Sequence, residues 1–172
     1  MKIIQLKGCK ESGGKFLDLA QAEVLMAMQK IVKDGEVLSI PRNGSSREFE
    51  ITSLDKRETF YISMQRGLIR LSKHSTQERT ADAIVLLRLC VDYKPHTNPD
   101  TIPPRIDLTP YRNTRLGSTH LHIFTDGGVS DRWAMPVPDD AFSNLNDLAT
   151  TLRDFLEYCN VINIPTIQVS LF

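Results

Sequence analysis

The fold of this chain is decided by its most apolar run, AIVLLRLCVD at residues 83–92. Its dense block of aliphatic side chains at 84–87 is typical of a strand that is covered on both faces. Three segments with alternating apolar and polar residues precede it, at 47–54, 60–64 and 68–73. Because the connections between these segments are of hairpin length, we expect an antiparallel β-meander with residues 83–92 as a central strand.

Two helical patterns flank this meander. Apolar residues recur at helical spacing from Leu17 to Lys33, and Asp34-Gly35 ends the pattern. A second apolar stripe follows the capping residue Ser143 and ends at Cys159-Asn160. We therefore predict an α+β fold, in which an antiparallel β-meander sheet is packed by an N-terminal and a C-terminal helix.

The remaining segments complete a predicted division of the chain. Residues 1–15 are expected to form an N-terminal arm, and residues 16–172 a single α+β domain. Residues 93–117 contain five prolines and predict a long irregular loop, which in a compact domain is usually functional or mobile. Further short strands are expected within 36–41, 119–125, 132–137 and 166–172.

The composition excludes several classes of protein. The 172 residues contain 21 basic and 21 acidic side chains, so a protein that coats polyanions along its whole surface is not expected. The chain has no run of about 18 apolar residues, so no membrane span is predicted. The N-terminus lacks the apolar stretch that a signal peptide needs, so we do not expect secretion by that route. Three widely spaced cysteines favour reduced thiols, so we expect a cytoplasmic protein. The chain has no P-loop and no dinucleotide-binding glycine motif, and no cofactor is expected.

The segment THLHI at 119–123 is the first candidate for chemistry. Residues two apart on a strand share a face, so His120 and His122 would lie side by side while the residues between and after them enter the core. Such a pair suits acid–base catalysis or the start of a metal site, and it also suits two structural histidines. A metal would need a further ligand, for which no residue has a diagnostic spacing; the candidates are His96, Asp100 and Asp126.

A polar segment, LSKHSTQERT at 71–80, is the second candidate. As a loop between strands it could present cations and hydrogen-bond donors to a phosphate, or it could be an ordinary solvated turn. Its candidate substrate-binding residues are Lys73, His74, Gln77 and Arg79.

Arg88 interrupts the apolar run and requires a partner, because an unpaired buried charge is costly. Strand parity places it on one face with Cys90 and Asp92, so that face either carries a structural ion pair or opens into a polar cleft. His96 follows this strand, where a loop residue could face a ligand, and Trp133 is expected to pack in the core.

Five motifs occur in a fixed order: SKHSTQER at 72–79, LLRL at 86–89, PHTNPD at 95–100, HLHIF at 120–124 and RWAMP at 132–136. Together they resemble a bacterial family of small proteins whose domain has no known function. The resemblance extends from about Leu17 to about Ile164. The resemblance implies a bacterial or phage origin. It does not imply any particular activity, because the family has no known function.

Three functions are compatible with these residues. The first is a metal-independent endoribonuclease of toxin or phage-defence type, which would cleave RNA phosphodiesters. Residues 56–115 carry eleven basic and six acidic side chains, a local charge of +5 that favours an anionic substrate. In this hypothesis the catalytic residues are His96, His120 and His122, the substrate is bound by Lys73, His74, Gln77, Arg79 and Arg88, and no metal takes part.

The other two functions need different partners. A non-catalytic binding protein of a mobile element, such as an antitoxin, a host-system inhibitor or a regulator, would bind a protein instead of RNA. A metal-dependent hydrolase would use the pair His120 and His122 as metal ligands. The sequence leaves the oligomeric state open in all three cases.

Overall fold

The computed structural model describes residues 17–33, 37–125 and 131–169. In chain order the elements are α1 (Leu19–Ala27), β1 (Lys30–Val32), β2 (Leu38–Ile40), β3 (Ser46–Ser53), β4 (Thr59–Arg66), β5 (His74–Thr80), β6 (Val85–Val91), β7 (His96–Thr97), a 3-10 helix (Ile106–Tyr111), β8 (Arg115–Leu116), β9 (His120–Ile123), β10 (Ala134–Met135), α2 (Leu148–Tyr158) and β11 (Ile167–Val169). The predicted N-terminal arm, residues 1–15, lies outside the described residues.

A seven-stranded antiparallel sheet dominates the structure, in the order β1-β3-β4-β5-β6-β9-β10. Strands β3 to β6 form the predicted meander, which confirms the α+β fold with an antiparallel sheet. Two pairs of short strands lie outside it: β7 with β8, antiparallel, and β2 with β11, parallel. No helix within the described ranges is long and apolar enough to cross a membrane.

The two faces of the large sheet differ because side chains alternate along each strand. One face carries a row formed by Phe49, Ile62, Leu87 and Ile123, with the buried Glu78 between Ile62 and Leu87. The apolar members of this row belong to the same buried core as the apolar side of α2. The opposite face carries polar rows. The predicted burial of Leu121, Ile123 and Trp133 is confirmed; the most exposed of the three, Ile123, is 6% exposed.

The first helix is shorter than predicted. It covers Leu19–Ala27 and begins with a capping box between Asp18 and Gln21. The predicted extension to Lys33 is wrong, since Lys30–Val32 pairs with β3 as an edge strand. Two β-branched residues in this segment favour the extended backbone, and pairing with the sheet supplies the hydrogen bonds.

The predictions for residues 68–80 are reversed in the structure. Leu68–Lys73, predicted as a strand, is the connection between β4 and β5, and Ile69 at its tip is 90% exposed. The polar segment that was expected to form a loop is strand β5 itself from His74 onward. The polar composition of β5 does not predict a strand, because its burial comes from its position between β4 and β6 and not from apolar side chains.

The segment predicted as a long irregular loop contains short regular elements in the structure. The segment 93–117 contains β7, β8 and the 3-10 helix, which places Leu108 in the core.

Helix α2 begins after Asp147, whose side chain accepts a hydrogen bond from the Thr150 amide. Ser143 is not the cap, because both its amide and its hydroxyl donate to Asp154 within the helix.

A buried ion pair crosses the core below the sheet. The Nζ atom of Lys30 lies 3.1 Å from the Glu78 carboxylate, and both side chains are 0% exposed. Lys30 also donates to the carbonyl oxygens of Met26, Met28 and Cys159, at 3.0–3.3 Å. Burial raises the pKa of Glu78, and the adjacent ammonium group acts in the opposite direction. This lysine therefore joins the edge strand β1 to the central strand β5 and to the end of α2.

We expect Lys30→Met to lower the free energy of unfolding by about 3–5 kcal/mol, because it leaves the Glu78 carboxylate buried without its counter-charge. Urea unfolding measures this change. The double variant Lys30→Met/Glu78→Leu should recover most of the loss. Arg57→Met, which removes an exposed pair with Asp55, is the control and should leave the urea midpoint unchanged. An equal loss in the single and double variants would contradict this account of the pair.

Candidate functional site

The candidate site lies on the polar face of the sheet, where β6 pairs with β9. The register places Arg88 opposite His122 and Cys90 opposite His120. Directly opposite residues in an antiparallel pair have Cβ atoms about 4.5–5.5 Å apart, so these four side chains form one compact group. Strand parity predicts that Arg88 and Cys90 share one face of the sheet. Both histidines of the HLH motif lie on this same face.

His96 joins this group from outside the large sheet. Its ring centroid lies 4.8 Å from that of His122 and 5.7 Å from that of His120, and the two strand histidines are themselves 4.8 Å apart. His120 and His122 are nearly fully buried, whereas His96 is half-buried and borders solvent. The three histidines predicted as catalytic therefore converge on one point, which we call the histidine cluster.

Backbone carbonyls fix the tautomers of the two strand histidines. Nδ1 of His120 lies 2.9 Å from the carbonyl oxygen of Gly117, and Nδ1 of His122 lies 3.2 Å from that of Trp133. A carbonyl oxygen can only accept, so each Nδ1 must carry the proton. In their neutral forms both rings then have an unprotonated Nε2, and these two atoms are only 3.1 Å apart. Two lone pairs that face each other at this distance repel, and a metal ion or a proton between them would relieve the repulsion.

The environment disfavours extra protons in the cluster. Burial, together with the charges of His120 and His96, lowers the pKa of His122 to about 4. Burial also lowers the pKa of His120, which the hydrogen bond to Gly117 partly offsets. Both shifts favour the neutral form of the strand histidines at pH 7.

Cys90 completes a set of atoms that could hold a metal ion. Its sulfur and one nitrogen from each of His120 and His122 all lie within 4.8 Å of one another. Burial raises the pKa of the Cys90 thiol, and the Arg88 charge opposes this rise. The backbone carbonyls that bind each Nδ1–H are the partners usually found behind histidine ligands of metals.

Asn98 holds His96 in place. Its side-chain amide donates to the carbonyls of Tyr111 and Ala134, and its Oδ1 accepts from the Ala134 amide, all at 2.8–2.9 Å. The same Oδ1 lies 3.1 Å from Nε2 of His96, which must therefore be the protonated nitrogen. His96 is left with a lone pair on Nδ1, so it can accept a proton or a metal there.

A polar groove of about 390 Å³ adjoins the cluster and follows the same face of the sheet toward β3. Arg88 lies at its boundary with the cluster, and its guanidinium group binds the Asp131 carboxylate at 2.7 and 2.9 Å. Both sequence alternatives for Arg88 are therefore realised, because it forms an ion pair and also lines a polar cleft. The other lining residues are Ser46, Arg47, Glu48, Ser63, Met64, Gln65, Ser75 and Gln77.

The predicted substrate-binding residues are divided by strand parity. Gln77 and Arg88 line the groove, and Lys73 lies beside it with Nζ 4.5 Å from the ring centre of Tyr93. Arg79 is on the polar face, where it binds Glu48 and stacks on Tyr61. His74 is 1% exposed on the core face, so the structure does not bring it to the site.

Sequence reasoning did not select Cys90, Asn98 and Asp131 as site residues. Strand parity with Arg88 was the available signal for Cys90. Asn98 was interpreted only as part of a turn, because its contacts with Ala134 join residues that are 36 positions apart. Asp131 follows the predicted turn after β9, and no local pattern identifies it as the partner of Arg88.

Residues 17–161 match a family of unknown function, DUF6978, and the chain belongs to this family. No curated protein matches the chain, and no solved structure matches it either. Family membership therefore agrees with the resemblance found from the motifs and leaves the activity to be inferred from the site.

Nitrogen NMR of the histidine side chains tests the tautomers. At pH 7 in the presence of a chelator we expect His120 and His122 as Nδ1–H tautomers and His96 as the Nε2–H tautomer. Long-range ¹H–¹⁵N spectra distinguish protonated from unprotonated ring nitrogens, with His120→Gln and His96→Gln as assignment controls. A protonated Nε2 on both strand histidines would contradict the assignment.

Proposed function

We propose that this protein is a metal-dependent hydrolase whose metal ion, of the zinc class, is held by Cys90, His120 and His122. The observation that carries the proposal is the 3.1 Å contact between the two Nε2 atoms, since each ring has its proton fixed on Nδ1. Two nitrogens bound to a tetrahedral Zn²⁺ at 2.0–2.1 Å are about 3.3 Å apart. The histidines are thus close to the spacing that such an ion needs.

The donor set supports a catalytic rather than a purely structural ion. Structural zinc sites usually have four protein ligands, whereas catalytic sites have three and keep one position for water or substrate. Three protein ligands come from β6 and β9, and the polar groove adjoins them. A cytoplasmic location, expected from the cysteine content, would keep Cys90 as a thiol that a metal can deprotonate.

The chain's own residues supply the rest of the hydrolytic reaction. Bound metal would lower the pKa of water and polarise the bond to be cleaved. His96 has an unprotonated Nδ1 and takes the proton that water loses as its oxygen bonds to the electrophilic atom. The same proton passes to the leaving group as the old bond breaks. Arg88 stabilises the negative charge that develops at the mouth of the groove.

Metal-independent cleavage of RNA is the second candidate. It is supported by the short distances within the histidine cluster, since proton transfer requires hydrogen-bond reach or one intervening water. In this version His96 is the base, and a proton shared by His120 and His122 is the acid. The bacterial or phage origin that the motif resemblance implies is compatible with a toxin or phage-defence role for this candidate. Against it, both strand histidines have lowered pKa values, so the acid form is scarce at pH 7.

Metal binding tests the first candidate directly. Wild-type protein is expected to bind one Zn²⁺ per chain by elemental analysis, and its Co²⁺ form should show thiolate-to-cobalt absorption. Cys90→Ser should remove that absorption, and His120→Asn or His122→Asn should weaken binding by about 100-fold or more. Cys159→Ala, which removes a buried thiol from the core side of the sheet, is the control and should bind as wild type. Normal metal binding by folded His120→Asn would overturn the proposed ligand set.

Activity with and without metal separates the candidates. We expect hydrolysis of bulk RNA or of a phosphodiester or ester panel to stop in EDTA and to return with Zn²⁺. His96→Ala should retain metal and lose about 100-fold or more in rate, as general-base catalysis contributes about 10²–10⁴-fold. RNA cleavage that continues in EDTA and disappears in His96→Ala would favour the metal-independent ribonuclease. No turnover in any protein, with a partner that still binds the histidine variants, would favour the non-catalytic binding protein.

A further inference from the structure

Three large apolar side chains are exposed in the loop between β4 and β5. Leu68, Ile69 and Leu71 are 73%, 90% and 61% exposed, and they lie within four consecutive residues. Single exposed apolar residues are ordinary on a protein surface, whereas a contiguous group of them marks a site of contact with another molecule. We call residues 67–73 the apolar tip.

Hydrogen bonds hold the apolar tip in one shape. The Gly67 amide donates to the backbone carbonyl of Lys73 at 2.7 Å, and the Lys73 amide donates to that of Arg70 at 3.0 Å. The Ser72 hydroxyl and the Arg70 guanidinium group both bind the Asp92 carboxylate, at 2.6 and 2.9 Å. The tip is therefore preorganised with its apolar side chains toward solvent, so binding through it costs little further ordering.

The turn between β2 and β3 supports the tip. The Gly44 amide donates to the Gly67 carbonyl at 3.1 Å, and the Arg66 amide donates to the Ser45 carbonyl at 3.0 Å. Leu68 packs on Gly44, where an added Cβ atom would lie only 2.7 Å from the leucine side chain. The two loops therefore form one surface at this end of the sheet.

This surface is positively charged. Asp92, which binds Arg70, brings one carboxylate to it. Residues 41–46 and 66–73, which form the two loops, contain no acidic side chain and four basic ones: Arg42, Arg66, Arg70 and Lys73. Four basic groups against one acidic group leave a net charge of +3 around the apolar side chains.

We propose that the apolar tip binds the surface of an anionic lipid bilayer. Its three aliphatic side chains enter the interface, and the surrounding cations contact the headgroup phosphates. The negative surface potential of such a bilayer attracts lysine and arginine, whose long side chains reach the headgroups while apolar neighbours are buried more deeply. The tip protrudes, since Ile69 is 90% exposed, and a bilayer deforms around a protruding group, whereas a protein partner would need a cavity of matching shape.

The inference does not rest on the proposed function, although it orients the molecule. Asp92, which holds the tip, directly follows β6, and its amide lies 3.4 Å from the Thr119 hydroxyl just before β9. The tip therefore lies at the end of the sheet where β6 ends and β9 begins. A bound bilayer would face this end of the sheet.

Sedimentation of the full chain with lipid vesicles tests the apolar part of the contact. We expect binding to vesicles that contain phosphatidylserine and little binding to vesicles of phosphatidylcholine alone. Ile69→Asp should weaken binding by about ten-fold or more, because the burial of one aliphatic side chain accounts for at least this factor. Ile106→Asp is the matched control, since Ile106 is 91% exposed at the start of the 3-10 helix, and it should bind as wild type.

A pair of charge variants tests the cationic part. Arg42→Ala/Lys73→Ala should weaken binding to the anionic vesicles by about five-fold for each cation removed. Arg57→Ala/Arg153→Ala removes the same charge from exposed positions outside the tip and should bind as wild type. Arg57 lies in the turn between β3 and β4, at the opposite end of the sheet from the tip. Added salt should release the wild-type protein, because it screens exposed charges.

The results separate the bilayer from other partners. No sedimentation with anionic vesicles, or equal binding by Ile69→Asp and Ile106→Asp, overturns the inference. Equal binding to neutral and anionic vesicles also overturns it, because the cations then have no role. An acidic protein that binds through Ile69 when vesicles do not would replace the bilayer as the partner. If Arg42→Ala/Lys73→Ala folds poorly, Arg42→Glu at its exposed position should weaken binding and gives the same decision.

Discussion

The antiparallel pairing of β6 with β9 is the constraint on which both the core and the candidate site depend. It places Leu87 opposite Ile123 on the core face and Cys90 opposite His120 on the polar face. Because side chains alternate, a shift by one residue would exchange the faces and put the charged Arg88 into the core. The penalty for burying that charge maintains the register, and the register in turn brings the side chains of Cys90, His120 and His122 together.

Much of the large sheet could be predicted because its information is local. Alternation along β3, β4 and β9 identified which residues enter the core, and the same alternation placed Cys90 on the face of Arg88. Strand β5 could not be recognised from its polar sequence, since its burial comes from the strands on either side. His74 was grouped with its cationic neighbours for that reason, although it lies on the opposite face from Gln77.

The convergence of His96 with the strand histidines depends on contacts that no sequence pattern reports. The side-chain amide of Asn98 donates to the carbonyl oxygen of Ala134, and Oδ1 of Asn98 accepts from the Ala134 amide. These two hydrogen bonds form a clamp that positions the short strand β7. The ion pair between Lys30 and Glu78 is likewise long-range, and a helical pattern across residues 17–33 concealed that Lys30 lies on a strand. In both cases the polar residue was visible in the sequence and its partner was not.

The histidine cluster has two parts that are anchored differently. His120 and His122 are held within a ladder of strands, whereas His96 depends on one asparagine and a two-residue strand paired with β8. Between Asn98 and β8 lies the 3-10 helix, whose Leu108 is buried and whose Tyr111 carbonyl accepts a hydrogen bond from Asn98. A change in length is therefore tolerated best before this helix, at the exposed residues Thr101 and Ile102, since insertions in surface loops cost little free energy. The fold thus holds a fixed histidine cluster beside a short surface segment whose length can change.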